Sequence, residues 1–353
     1  MMSTRSAFWR WALVGAIASG VLLWAQAQSL GGPAGLLQVG ETSDLRPLIE
    51  SELGEVPLVP GPGHDGQIYY AMGLDLSGDE VAPLLDHGAY RYRRILFPLI
   101  ASAFGVLGGD ALLFGMIATT VLAAAVAAGA TAAAGTRLGL SEWVGVAVVL
   151  NPGFWLSVRL LTADTVALAL MASGLLMFLT RERLSIWAFA LSTLAKDVYL
   201  VTPGGLSIGK SRRRWLLAIV PFGVLVIWMT WLTSTLGEGF TRRGNLSWPL
   251  TGIIDASVNW ANFDAAEWLY LSFALASVGV GVAIGLLRRG WLRWSILGWS
   301  ALGLISSNWV WDFGNNAARI FAPLAVLIVL GFGSYDDASI ADTSTTLTSR
   351  TVS

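Results

Sequence analysis

From Ala111 to Ala134 the chain runs without an acid or a base. At about 1.5 Å of rise per residue, this is enough helix to cross the roughly 30 Å hydrocarbon core of a bilayer. Lipid offers the backbone no water, so such a run must close its own hydrogen bonds as a helix. Further apolar stretches recur at 8–28, 142–158, 162–180, 184–197, 198–210, 214–235, 267–287, 294–309 and 319–334. With 13% charged residues and a mean hydropathy of +0.64, they exclude a water-soluble domain. They predict an all-α polytopic membrane protein of about ten transmembrane helices. The 17 Trp and 40 Gly residues suit interfacial aromatic belts and close helix packing. Cys is absent, which removes disulfides, thiolate metal sites and a Cys nucleophile.

Arg5 and Arg10 precede the first apolar run and Ala25-Gln26-Ala27 closes it, so residues 1–28 read as a first transmembrane helix or as a signal peptide. Retention is preferred, because the rest of the chain is itself a membrane protein rather than a secreted domain. Residues 29–110 form a large extracytoplasmic loop. Up to residue 90 its acids, among them Glu41, Asp44, Asp65, Asp75 and Asp86, meet only Arg46, whereas Lys and Arg mark cytoplasmic segments. Residues 95–107 are apolar but too short for a span. Placed outside as a juxtamembrane or re-entrant helix, they leave Arg137, Arg181, Arg183, Lys210 to Arg214, Arg288, Arg289 and Arg293 all cytoplasmic. The transmembrane bundle then occupies 111–334, and 335–353 reads as a disordered cytoplasmic tail. The expected location is the cytoplasmic membrane, multi-pass, with the active face extracytoplasmic.

Charges within or beside a bundle are costly and therefore candidates for function. On this topology Asp65, Arg91, Arg93, Arg94, Arg159, Asp164, Lys196, Asp197, Asp312 and Arg319 gather at the outer face. Several arginines with a few carboxylates suit an anionic ligand such as a lipid phosphate, leaving one carboxylate for proton transfer. Each has a plainer reading. Arg91, Arg93 and Arg94 could anchor the loop at headgroup level, Asp164 could answer a helix macrodipole, and Lys196 and Asp197 could serve separate contacts at a helix break. His64 and His87, the only histidines, each adjoin an aspartate and could hold a divalent cation or stand solvated in the loop.

The run Asp65-Gly66-Gln67-Ile68-Tyr69-Tyr70, followed by Tyr90-Arg91-Tyr92-Arg93-Arg94-Ile95-Leu96-Phe97-Pro98-Leu99, resembles the multispanning GT-C glycosyltransferases. It is most similar to prokaryotic mannosyltransferase-like membrane proteins that act on lipid acceptors. Asn151-Pro152-Gly153, Thr162-Ala163-Asp164, Leu194-Ala195-Lys196-Asp197, Asn245-Leu246-Ser247-Trp248-Pro249 and Asn316-Ala317-Ala318-Arg319 continue the resemblance in order. It implies Asp65 as catalytic base and 95–107 as a juxtamembrane helix. It also implies a polyprenyl-phosphate-linked sugar donor and a glycan, lipid or protein acceptor. Gln67, Tyr69, Tyr70, Arg91, Arg94, Asp164, Lys196, Asp197 and Arg319 are the expected substrate and phosphate contacts. The resemblance fixes no cofactor, a divalent cation being one that could take part; membrane lipids are the surroundings, and nucleic acid is not an expected partner. A transporter or flippase of a lipid-linked or anionic substrate is the alternative, as is a non-catalytic glycolipid-binding relative.

Overall fold

The computed structural model describes residues 3–208, 214–237 and 245–334. The tail expected at 335–353 and the basic residues 210–213 lie outside this range. Helix α1 (Thr4–Ser29) starts where Ser3 accepts the Ser6 amide at 3.2 Å. The loop region after it is folded. Two dipeptide strands, β1 (Val39–Gly40) and β2 (Leu58–Val59), pair in parallel around α2 (Arg46–Leu53). They lead into α3 (Asp65–Leu74), α4 (Gly88–Tyr92) and the apolar α5 (Leu96–Gly105). Apart from these strands the described chain is helical or loop, an all-α architecture.

The rest is the bundle. It comprises α6 (Gly109–Arg137), α7 (Val146–Val149), α8 (Pro152–Arg159), α9 (Ala163–Phe178), α10 (Glu182–Ala195), α11 (Val201–Ser207) and α12 (Leu216–Leu236). It continues through α13 (Thr251–Ser257), α14 (Ala265–Leu287), α15 (Arg293–Ile305), α16 (Asn308–Trp311) and α17 (Gly314–Leu330). Four of these helices, α1, α6, α12 and α14, are long and apolar enough to cross a membrane. Long apolar helices of this kind have exposed apolar faces that need lipid: on α1, Trp9, Leu13, Ile17, Val21 and Trp24 are all exposed and fall on one stripe.

Not every stretch read as a span is a single helix. Residues 142–158 break at Leu150-Asn151, because Asn151 caps α8 by accepting the Phe154 amide at 3.1 Å, with Pro152 at the first helical position. The stretches 184–197 and 198–210 are divided at Lys196, whose extended backbone separates α10, a single helix over the first of them, from a short 3-10 turn at Asp197–Leu200. The seven-residue α11 covers only about 10 Å. It is fastened instead to α15, where Ser295 donates to the Thr202 carbonyl at 2.8 Å and the Trp299 indole to the Thr202 hydroxyl at 2.9 Å.

The charged ends of the helices sort into two groups. At one end Arg10 pairs with Glu142, Arg214 approaches Glu182 at 3.8 Å, Arg288 lies over Phe332, and the Ser334 amide donates to the Leu138 carbonyl. At the other end Gln26 donates to the Arg159 carbonyl at 3.1 Å, beside the acids and arginines that build the site.

Candidate functional site

Asp65 is aimed by the loop that precedes it. Gly63 takes a left-handed φ of +77°, and a Cβ there would overlap the Gly40 amide and the Gln67 side chain, so only glycine fits this turn. Gln67 is buried and spends its amide on this architecture. It accepts the Gly40 amide at 3.2 Å and donates to the Pro62 carbonyl at 2.6 Å. Asp65 therefore opens α3 at the positive end of its dipole.

The arginines come from the next turn of chain. Tyr90 lies one helical turn before Arg93 and Arg94, and both guanidinium groups sit over its ring, at 5.1 and 5.0 Å. Arg94 also donates to the Tyr90 hydroxyl at 2.8 Å. Arg91 holds Asp86 through two bonds, at 2.9 and 3.1 Å, and reaches Asp65 at 3.1 Å. The Tyr92 hydroxyl donates to the Asp75 carbonyl at 2.6 Å. The Asp75 carboxylate meanwhile accepts from Ser77 and from the amides of Gly78, Glu80 and Val81. Asp75 thus organises the loop.

Arg319 enters from the far end of the sequence. Gly153 of α8 lies so close to α17 that a Cβ would overlap the Ala318 carbonyl, and Asn151 donates to the Ala322 carbonyl at 2.9 Å. Asn151-Pro152-Gly153 is thereby accounted for as the cap, first residue and crossing point that seat the turn of α17 carrying Arg319. One nitrogen of Arg319 bridges Asp65 at 2.8 Å and Asp164 at 3.1 Å. Asp164, in the first turn of α9, pairs as well with Lys196, both side chains being nearly fully buried. The adjacent Asp197 turns to Arg93 at 3.2 Å. The result is a continuous ion-pair chain, Lys196–Asp164–Arg319–Asp65–Arg91–Asp86.

A cavity of about 1120 Å³ opens on this chain. Asp65, Arg91, Arg94, Lys196 and Arg319 give it charged lining, and Met229, Leu232, Leu302, Val310 and Ile320 give it apolar lining. Five basic residues and three acidic ones line it, and Asp164 behind them is the fourth acid. One formal positive charge is left over. It is most simply assigned to Arg94, which has no carboxylate within ion-pair distance among the described residues. The Nε of Arg319 is likewise buried without an acceptor.

Burial would raise the pKa of Asp65, but Arg319 and Arg91 overcome it and hold the carboxyl well below the usual carboxylate range. Arg94 draws the Tyr90 phenol below its ordinary value against burial. Burial pushes Tyr69 up to about 12. It also lowers His64, helped by Arg319 and Arg159 and opposed by Asp65.

Of the expected contacts, Asp65, Arg91, Arg94, Lys196, Asp197 and Arg319 line the cavity. Gln67, Tyr69 and Tyr70 do not, because they lie on the buried side of α3, where Gln67 clamps the turn and Tyr69 packs edge-on against Phe97. Asp164 stands behind the cavity as the shared partner of Lys196 and Arg319. His87 lines it and His64 does not, and no group of three or more His, Asp or Glu among the described residues could hold a metal ion. The sequence marked Asn245 and Asn316 only as members of motifs, without a contact role, and did not mark Trp309 or Phe313 at all, although all four line the cavity; uncharged side chains carry no local signal of what they face. Compared with protein-family models, curated proteins and solved structures, the chain matches none.

Proposed function

We propose that the chain is a membrane glycosyltransferase of the GT-C kind, with about ten membrane crossings, some of them broken. It would transfer a sugar from a polyprenyl-phosphate donor to an acceptor hydroxyl on the extracytoplasmic side. The observation that carries this reading is the cavity itself, lined by both apolar side chains and charged groups with one cation in excess. A sugar joined to a lipid by a single phosphodiester has a matching combination, an apolar chain and one negative charge. Arg94, the unpaired Nε of Arg319 and Lys196 would hold the phosphate by charge-assisted hydrogen bonds. The side assignment rests on the acidic loop at one end and the basic linkers at the other.

In this mechanism Asp65 takes the proton of the acceptor hydroxyl as its oxygen bonds to the anomeric carbon. The bond from that carbon to the phosphate oxygen breaks, and the electron pair leaves with the polyprenyl phosphate, where Arg91, Arg94 and Arg319 stabilise it. A carboxylate clamped by two arginines is a weak base. A phosphate drawing on the same arginines raises its proton affinity, so the base becomes competent when the donor is in place.

The test is Asp65→Asn, expressed at wild-type level in a strain whose own copy is deleted, with mass spectrometry of polyprenyl-phosphate sugars and envelope glycans. Wild type should clear the accumulated donor and Asp65→Asn should not. Clearance by the variant at the wild-type rate would remove Asp65 from the chemistry.

A further inference from the structure

Four residues lining the cavity differ from both the arginines and the apolar side chains. Asn245, Trp309, Phe313 and Asn316 line it without a charge among them. Asn316 donates its amide to the Trp309 carbonyl at 3.1 Å, which leaves its own carbonyl oxygen as an acceptor. Asn245 donates across a long 3.5 Å contact to the Tyr90 hydroxyl and keeps its acceptor too. Trp309 and Phe313 remain 48% and 56% exposed. A bilayer belt accounts for exposed aromatics such as Trp248, which is not a cavity residue. It does not account for two aromatic side chains set with amide acceptors on the wall of a charged cavity.

Aromatic faces beside amide oxygens fit an uncharged polyhydroxylated ring, whose C–H face packs on the aromatic and whose hydroxyls donate to the amides. A few polar groups placed among apolar ones are what orient a small ligand. The spacing agrees: Asn316 precedes Arg319 by three residues on α17, about 4.5 Å along the axis and on the same face, roughly the size of one pyranose.

We infer that Asn245, Trp309, Phe313 and Asn316 form a subsite for one uncharged pyranose ring, set a single helical turn from Arg319. The assignment of that ring to a transfer reaction rests on the function proposed above. The ring has two possible sources, the sugar carried by the donor phosphate or a sugar of a glycan acceptor.

The full chain in lipid nanodiscs is titrated with citronellyl phosphate, with citronellyl phosphate esters of glucose, galactose and mannose, and with the methyl glycosides of the same sugars. If the ring is the donor's, Trp309→Ala and Asn316→Ala each weaken at least one phosphosugar by about tenfold and leave citronellyl phosphate unchanged. If it is the acceptor's, the loss falls on a methyl glycoside and the phosphosugars hold. Trp309→Phe, which keeps an aromatic face, recovers most of the loss in either case. The inference is overturned if wild type binds none of the sugar probes, or if both alanine variants bind them as wild type does. It is also overturned if citronellyl phosphate is lost in parallel with the sugars. If citronellyl phosphate fails to bind wild type while a methyl glycoside is still lost in Trp309→Ala, the phosphate reading falls and the subsite stands.

Discussion

Replacing Arg319 with Met would remove the positive charge from between two carboxylates while keeping most of the apolar stem. Arg319 bonds Asp65 at 2.8 Å and Asp164 at 3.1 Å through one nitrogen, and its side chain is only 11% exposed. Breaking a buried ion pair costs about 3–5 kcal/mol, chiefly by leaving a charge without its partner. Here neither carboxylate is left bare, since Asp65 keeps Arg91 and Asp164 keeps Lys196. The expected loss for Arg319→Met is therefore at the lower end, about 3 kcal/mol, or roughly a hundredfold in the unfolding equilibrium.

The assay is reversible unfolding in mixed micelles, followed by circular dichroism. Arg319→Met/Asp164→Asn should be less destabilised than the two single variants sum to, because each removes part of the other's imbalance. The pH dependence has a definite sign. Asp65 has a depressed pKa in the native state, so its contribution is present above the unfolded value of about 3.9 and is lost as pH falls through the native one. Arg319→Met lessens that depression, so the gap between variant and wild type should narrow below about pH 4. A change under about 0.5 kcal/mol, the scale of an ordinary surface substitution, or strict additivity in the double variant, would refute the claim that Arg319 ties the cluster together.

The same geometry sets two further outcomes. His64 is lowered by burial, with Arg319 and Arg159 adding to it, so wild-type stability should fall as pH drops below about 6.5, where the unfolded chain binds the proton first; in His64→Gln, unfolding midpoints measured from pH 7 to 5 should lose that slope. Gly153→Ala would force α8 away from the Ala318 carbonyl and should cost about 1–3 kcal/mol of stability by overpacking. In vesicle-binding titrations it should also weaken citronellyl phosphate several-fold, whereas Gly279→Ala, on α14 with open space around it, should change neither.

The amino-acid sequence by itself determined the all-α class and the main apolar helices. A run such as Ala111 to Ala134 has no other way to satisfy its backbone in lipid, and the helix found there, Gly109–Arg137, needs nothing distant to specify it. It also marked out the Asp65 region and the Arg91 to Arg94 cluster, because charge stands out against apolar composition. Where the helices break was less legible. The 142–158 stretch is apolar over most of its length, but the cap at Asn151 and the crossing at Gly153 depend on a neighbour that only packing supplies.

The pairing of charges was decided by tertiary structure alone. Arg319 lies 254 residues from the carboxylate it bridges, and no local pattern links them. Gln67 and Tyr70 share a helix with Asp65 but face away from the cavity, since a helix distributes neighbours around its axis and packing selects which face is buried. The same folding brought Asn245, Trp309, Phe313 and Asn316 to one cavity. Neutral polar and aromatic side chains are common in membrane-edge loops, and only their convergence distinguishes a binding surface from a belt.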